Sequence, residues 1–200
     1  MSSLEKSISE LHNNDLFVRA RAAQSIRLYG AAARQAVPAL VTALSDPSFI
    51  VQVAAVKAIS AIGPAACSAV PRLIAMLDDE ALALYAAPAL GRMGREAKSA
   101  LPRLKNLLVR SEEDVGAPTA LAVYRIDPSR DAAEDAVARL AAILVYGKSG
   151  DARACAAVGL GEIAGKRASF VLRNALNDDD ALVRFCAAGA LEHIEHASPL

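Results

Sequence analysis

DPSFIVQVAAVKAISAIGPAACSAVPRLIAMLDD, residues 46–79, decides how the chain is read, because most of the remaining sequence is an edited copy of it. The stretch reads as two helices. Asp46 is suited to an N-cap, with Pro47 at the first helical position, where its missing N–H costs nothing. Ile50, Val51, Ala54, Ala55, Ala58, Ile59 and Ile62 then recur at helical spacing along one wide apolar face. Gly63-Pro64 stops this helix, since glycine tolerates the left-handed stop conformation and proline cannot continue. Ser68 is placed to cap a second helix, with Pro71 in its first turn and Val70, Leu73, Ile74 and Leu77 as its apolar stripe; Asp78-Asp79 ends the unit. One such hairpin cannot bury two apolar faces alone, so the pattern predicts neighbours of the same kind.

Working outward, the stops after successive first helices align as Gly30, Gly63, Gly94, Asp127, Ala164 and Glu195, at intervals of 33, 31, 33, 37 and 31 residues, inside the range that signals a helical repeat array. Second helices align on Gln35-Ala36-Val37-Pro38, Ser68-Ala69-Val70-Pro71 and Ser99-Ala100-Leu101-Pro102. The fourth drops the proline but keeps Val137, Leu140 and Leu144; the fifth is shorter, with Leu172 and Leu176. First helices align on Asp15-x-x-Val18-Arg19, Asp180-x-x-Val183-Arg184 and a weaker Ser149-x-x-Ala152-Arg153. Before them, residues 2–11 form a short amphipathic helix with Leu4, Ile8 and Leu11 on one side and Ser2 and Glu5 as a capping box.

Together with ALGRMG at 89–94 and AVGLGEIAG at 157–165, the D-x-x-V-R and A-V-P-x-L patterns resemble the HEAT repeat family, particularly the HEAT-like repeats of the phycobilisome-lyase type. The resemblance implies an all-α, right-handed α-solenoid of stacked antiparallel helix hairpins. It sets out a single domain over 1–200, with an N-terminal half-repeat at about 2–12, repeats at about 15–45, 46–78, 79–110, 111–147 and 148–177, and a C-terminal half-repeat at about 178–196. It also implies that the Asp and Arg of D-x-x-V-R form a hydrogen-bonded ladder between hairpins. That arginine becomes Gln52, Ala83 and Gly116 in the middle units, which are therefore expected to rely more on apolar contact. Pro88 is expected to kink the third first helix, and Pro118 to delay the start of the fourth until after Gly116. The longest interval is expected to place extra residues in loops at 127–135 and 146–150.

Composition narrows the function classes. The chain is 54% hydrophobic but only 4% aromatic, which suits close helix packing through alanine. Lys+Arg and Asp+Glu both total 22, so the net charge is zero; nucleic acid as the main partner is disfavoured. The charge is uneven, with residues 79–110 mostly basic and 111–135 mostly acidic. Cys67, Cys155 and Cys186 have no CxxC spacing. The last two occupy the same repeat position, and helices about 8–10 Å apart are too distant for a disulfide, so buried thiols in a reducing compartment are expected. The N-terminus does not read as a signal peptide, and no uninterrupted apolar run approaches the roughly 18 residues of a membrane span; a soluble, cytoplasmic protein is expected.

Candidate binding residues come from the repeat register. Arg72, Arg103 and Arg139 align at one second-helix position, which would place them in a row roughly 10 Å apart; Lys105 and Arg173 lie further along the second helices. The resemblance puts second helices on the concave face, so this row is a candidate site for a protein or peptide with an acidic segment. Against it stands the ordinary use of arginine at solvent-facing helix positions. Glu192, His193, Glu195 and His196 cluster on the last helix at metal-ligand spacing, but His12, the remaining histidine, lies far off in the sequence, and no metal or cofactor is expected. The acidic runs at 112–114 and 178–180 suit helix N-termini. Neither a phosphate loop nor a nucleophile motif is present.

The expectation is a non-catalytic protein- or peptide-binding scaffold, without membrane contact. Self-association through the last helix, which no second helix follows, is a further expectation. The repeat subtype implies an alternative, an accessory factor like the bilin lyases. A DNA glycosylase of HEAT-like type is disfavoured by the absence of Trp, and a HEAT-like di-iron hydroxylase by the absence of any His-Glu pair.

Overall fold

The computed structural model describes residues 3–196, and every regular element among them is helical. The chain divides into two compact units, Met1–Arg103 and Leu104–Leu200. The first contains α1 (Ser3–Glu10), α2 (Leu16–Arg27), α3 (Val37–Ala43), α4 (Phe49–Ile62), α5 (Val70–Met76) and α6 (Glu80–Met93), and the boundary falls within α7 (Leu101–Arg110). The second contains α8 (Glu113–Ile126), α9 (Arg130–Tyr146), α10 (Gly150–Ile163), α11 (Ser169–Ala175) and α12 (Ala181–His196).

In the first unit the even-numbered helices α2, α4 and α6 pack side by side, and α3 and α5 each pack on the first helix that follows. Alanine makes this possible: Ala22, Ala23, Ala55, Ala58, Ala86 and Ala87 have no exposed surface, so backbones approach closely. Ile26, Leu40, Leu44, Ile59, Leu73, Leu77, Leu90 and Met93 fill the space between the layers, each worth roughly 1.5–3 kcal/mol on burial. Val51, Ala54, Ala55, Ala58, Ile59 and Ile62 are buried as their spacing predicts, but Ile50 is 53% exposed. In the second unit α8, α10 and α12 form the matching row, backed by α9 and α11.

α2, α4, α6 and α10 run into tight 3-10 turns, whereas α8 ends at Ile126 in an extended stretch beginning at Asp127. Gly30–Ala36, Gly63–Ala69 and Gly94–Ala100 are each entered through a glycine with φ of 52°, 71° and 59°, a region other residues rarely adopt. The last such stop is Gly165 at φ 50°, one residue beyond the Ala164 of the alignment. These turns occupy Ser68, so α5 starts after Ala69 with no side-chain cap. The break at Gly63 also divides Phe49–Met76, which is long and apolar enough to cross a membrane by length and composition, into two helices half-buried in protein.

Other expectations are corrected. α4 begins at Phe49, not Pro47, with Ser48 at its N-cap. α6 runs through Pro88 as one helix, and α8 starts at Glu113 and runs through Pro118. Neighbours Ala87, Ala89, Ala117 and Thr119 are fully buried, and that packing holds the helices across the missing backbone bond. Residues 130–135 are helical, so the longest repeat interval lengthens α9 to 17 residues instead of building a loop. Ser2 of the capping box and the 197–200 tail lie outside the described residues.

The arginine ladder has an acid that the motif does not name. Arg19 donates two hydrogen bonds to Asp46, at 2.6 and 2.9 Å, while its Nη1 donates to the carbonyls of Asn13 and Asn14. Arg153 repeats this with Asp178, at 2.9 and 2.7 Å, and with the carbonyls of Gly147 and Lys148; it also reaches Asp179. Arg184 holds the carbonyls of Asp178 and Asp179 in the same way. The motif aspartates Asp15 and Asp180 instead accept from Phe17 and Leu182 N–H at their own helix starts. The ladder acid is thus the residue six before the next motif arginine position, and Arg19 and Arg153 hold the Asp46 and Asp178 carboxyls below the usual carboxylate range.

Candidate functional site

A groove of about 700 Å³ crosses α2, α4 and α6 in the first unit. Its lining is polar and carries one sign of charge. Arg27, Lys57 and Arg92 contribute one cation from each of the three helices, Gln24, Ser60 and Tyr85 add donors, and no carboxylate lines it. None of the three cations forms an ion pair among the described residues. Lys57 Nζ instead lies 5.2 Å from the centre of the Tyr85 ring, and Phe49 meets that ring edge-on at 6.4 Å. The surrounding unit supports the same sign: residues 1–103 hold eleven Lys and Arg against eight Asp and Glu, whereas residues 104–200 hold eleven against fourteen.

The second unit has a groove on the corresponding helix face, about 510 Å³ between α10 and α12, with a different lining: Val158, Gly161, Phe185, Cys186, Gly189 and Ala190, together with Glu162 and His193. Counted from the motif arginine position, Lys57 and Val158 are both five residues on, and Arg92 and His193 both nine. Glu162 is neutralised by Arg125, which donates to it at 2.8 and 2.5 Å.

The second-helix residues predicted from the register occupy varied settings. Arg72 and Arg103 lie in the first unit, and both are exposed; Arg103 is ion-paired with Asp78. Lys105, Arg139 and Arg173 lie in the second unit, with Lys105 and Arg173 exposed. Arg139 is half-buried, and its Nη2 donates to the Ser111 carbonyl at 2.8 Å. No hydrogen bond joins any of the five to another among the described residues. The repeat alignment passes over Arg27, Lys57 and Arg92 for a geometric reason: they stand eight, five and nine residues beyond the motif position, so the groove draws them from three different columns. Arg27 and Lys57 have no carboxylate at i±3 or i±4, a signal that the sequence does carry, whereas Arg92 has Glu96 at i+4, beyond the Gly94 stop of its helix.

The thiols are free. Cys67 is exposed, against expectation, because it sits in the 3-10 turn; Cys155 and Cys186 are half-buried, and burial raises both above the ordinary thiol range. Among the described residues no three His, Cys, Asp or Glu side chains are grouped to hold a metal.

Comparisons with known proteins agree on the fold. A family profile described as HEAT repeats matches residues 4–87. No curated protein matches the sequence. Among solved structures, the complex of CpcE and CpcF of phycocyanin lyase from Nostoc sp. PCC7120 is 22% identical, with a TM-score of 0.62 over 100% of this chain and 90% of that one. A designed armadillo repeat protein in complex with the peptide (KR)4 is 21% identical, with a TM-score of 0.59 over 96% and 100%. The archaeal HEAT-like repeats protein from Thermococcus onnurineus NA1 is 14% identical, with a TM-score of 0.58 over 96% and 87%. Residues 4–87 thus match the HEAT-repeat profile, and the chain has the α-solenoid fold that HEAT-like and armadillo-like repeat proteins share.

Proposed function

We propose that this protein is a non-catalytic scaffold that holds an acidic segment of a protein partner. The observation that carries the reading is the groove on α2, α4 and α6, where Arg27, Lys57 and Arg92 stand without carboxylate partners. Leaving three cations unpaired around one concavity costs stability through self-repulsion, and an acidic ligand relieves it. An array of acidic, neutral and basic peptides tests this. Acidic peptides are expected to bind, to weaken with salt, and to be lost with the Arg27→Glu/Lys57→Glu/Arg92→Glu variant. The second-helix residues Arg72, Arg103, Lys105, Arg139 and Arg173 form the competing surface for the same ligand. Loss of binding through Arg72→Glu/Arg103→Glu instead would move the site there, and no preference for acidic peptides would remove the reading.

A second reading, an accessory factor for bilin attachment, draws on the fold likeness to the phycocyanin lyase subunits. The groove suits it chemically, since a tetrapyrrole presents a π-face to Tyr85 and propionates to the cations. An absorbance change on titrating a bilin would support it, and none would dispose of it.

A further inference from the structure

We infer that the α2–α4–α6 groove takes the acidic start of α9 from a second copy of this chain, so that copies associate head to tail. The inference rests on the scaffold reading above and names the partner. Eleven cations against eight carboxylates leave the first unit at +3, and eleven against fourteen leave the second at −3. Part of each excess stands where nothing in the chain answers it. In the first unit that place is the groove, with Arg27, Lys57 and Arg92 in its lining and no carboxylate.

In the second unit it is α9. Asp131 and Asp135 are both exposed and lie one turn apart on the same helix face. Neither has an ion pair or side-chain hydrogen bond among the described residues. The cations nearest along the helix are engaged elsewhere: Arg130 donates to Glu134 at 2.8 Å, and Arg139 to the Ser111 carbonyl at 2.8 Å. The helix N-terminus relieves Asp131 in its first turn, but Asp135 lies beyond that reach. By contrast, Glu113, Glu162, Asp178 and Asp179 are each bonded within the unit. Both clusters repel themselves in an isolated copy, and one contact between copies relieves the two together. An acidic partner of another kind relieves only the groove. Because the two surfaces differ, the contact is heterologous: each copy gives with one and receives with the other, and assemblies grow past a dimer.

Sedimentation velocity on the full chain tests it, at concentrations up to the millimolar range. At low salt the mass is expected to rise with concentration from that of a monomer, through dimers, to longer assemblies. Salt at about 0.5 M is expected to weaken the association about tenfold. Arg27→Gln/Lys57→Gln/Arg92→Gln and Asp131→Asn/Asp135→Asn are each expected to weaken it about tenfold when alone; circular dichroism confirms that both fold. Mixed, they are expected to form dimers at the wild-type affinity and nothing larger, since one copy keeps only the groove and the other only the acidic helix start. A monomer's mass at every concentration would overturn the inference. So would association that either variant keeps unchanged, or a mixture that associates no more tightly than its parts. All three results leave the scaffold reading intact, because that reading falls only if acidic peptides fail to bind.

Discussion

Arg19 and Arg153 lie in different units and make the same ties, whereas at the same register Gln52 makes only one of them and Gly116 makes none. Each arginine spans from its own loop carbonyls to an aspartate ahead of the next first helix. Gln52 keeps half of that role: its Nε2 donates to the carbonyl of Asp46, six residues back, but the position where an acid would follow is Leu77. At Gly116 the arginine comes from elsewhere. Arg139, on the paired helix α9, reaches into the space a Cβ would occupy and donates to Ser111, five residues before Gly116. The next junction is re-made by Glu113, whose carboxylate accepts from Lys148 and Ser149 N–H, and Gly147 stands where the ladder acid would be. A side chain at Gly147 would meet the Ile143 carbonyl at 2.5 Å and Glu113 at 2.8 Å. The requirement is therefore on the loop carbonyls and the helix spacing, and the residue that meets it is replaceable.

If that is right, removing a standing rung has the largest effect. Arg153→Met strips partners from Asp178, Asp179 and two carbonyls. The Arg153 and Asp178 side chains are each 12% exposed, so water takes over only part of the lost bonding. A loss of about 2–3 kcal/mol is expected by urea denaturation, with hydrogen exchange rising in α10 and α12. Arg125→Met breaks a pair that is 33% and 35% exposed and is expected to cost about 0.5 kcal/mol. Equal losses from the two would mean that the ladder is ornamental.

The substituted rung comes next. Alanine in place of a mid-helix glycine ordinarily gains about 1 kcal/mol. At Gly116 the new Cβ would lie 3.0 Å from Arg139 Nη2 and 3.2 Å from its Nε, so Arg139 withdraws and the Ser111 carbonyl loses its donor. Gly116→Ala is expected to lower stability by about 1 kcal/mol net. The sharper measurement pairs Gly116→Arg with Arg139→Ala, which moves the arginine back to the motif column. That double variant is expected to unfold at higher urea than Arg139→Ala alone; the reverse order would show that Arg139 does not stand in for the ladder.

What could be read beforehand follows the same division. The hairpin repeat, the glycine stops and the buried faces were legible because each is a local pattern repeated in register, and Gly30, Gly63 and Gly94 all carry the predicted conformation. The ladder arginines were legible too, but their acid was assigned to Asp15 and Asp180, since capping and cross-hairpin pairing demand the same residue type a few positions apart. Asp46 reads as a cap for this reason, yet it accepts from Ser48 N–H and from Arg19 at once. Arg139 aligns with Arg72 and Arg103 in the repeat register. Only the empty space at Gly116, a feature of another helix, separates it from them.

The acid limb of stability offers a third comparison. Arg153 holds the Asp178 carboxyl down to about 2, below its value of about 3.9 in the unfolded chain. A depressed folded value contributes stability above the unfolded one and loses it as pH falls through the folded one. The contribution is therefore complete above about pH 5 and drains between about pH 4 and 2. Solvent screening at this partly open site limits it to about 1 kcal/mol. Asp178→Asn is expected to flatten the fall in urea midpoint between pH 5 and 2.5. An unchanged slope would place the acid sensitivity elsewhere.

The smallest effect is the control for the second. Gly189 lies mid-helix in α12, whereas Gly116 lies in the first turn of α8, and a Cβ added at Gly189 meets nothing within 4 Å. No arginine reaches into that space, and the methyl would enter the apolar groove beside Phe185 and Cys186. Gly189→Ala is accordingly expected to gain roughly 0.5 kcal/mol, the propensity term alone with some fraying discounted. Opposite signs at Gly116 and Gly189, under one chemical change, would isolate Arg139 as the cause. A loss at both would mean that glycine in these helices serves close backbone approach generally, as it does at Gly161, where a Cβ would meet that of Ala190 at 2.7 Å.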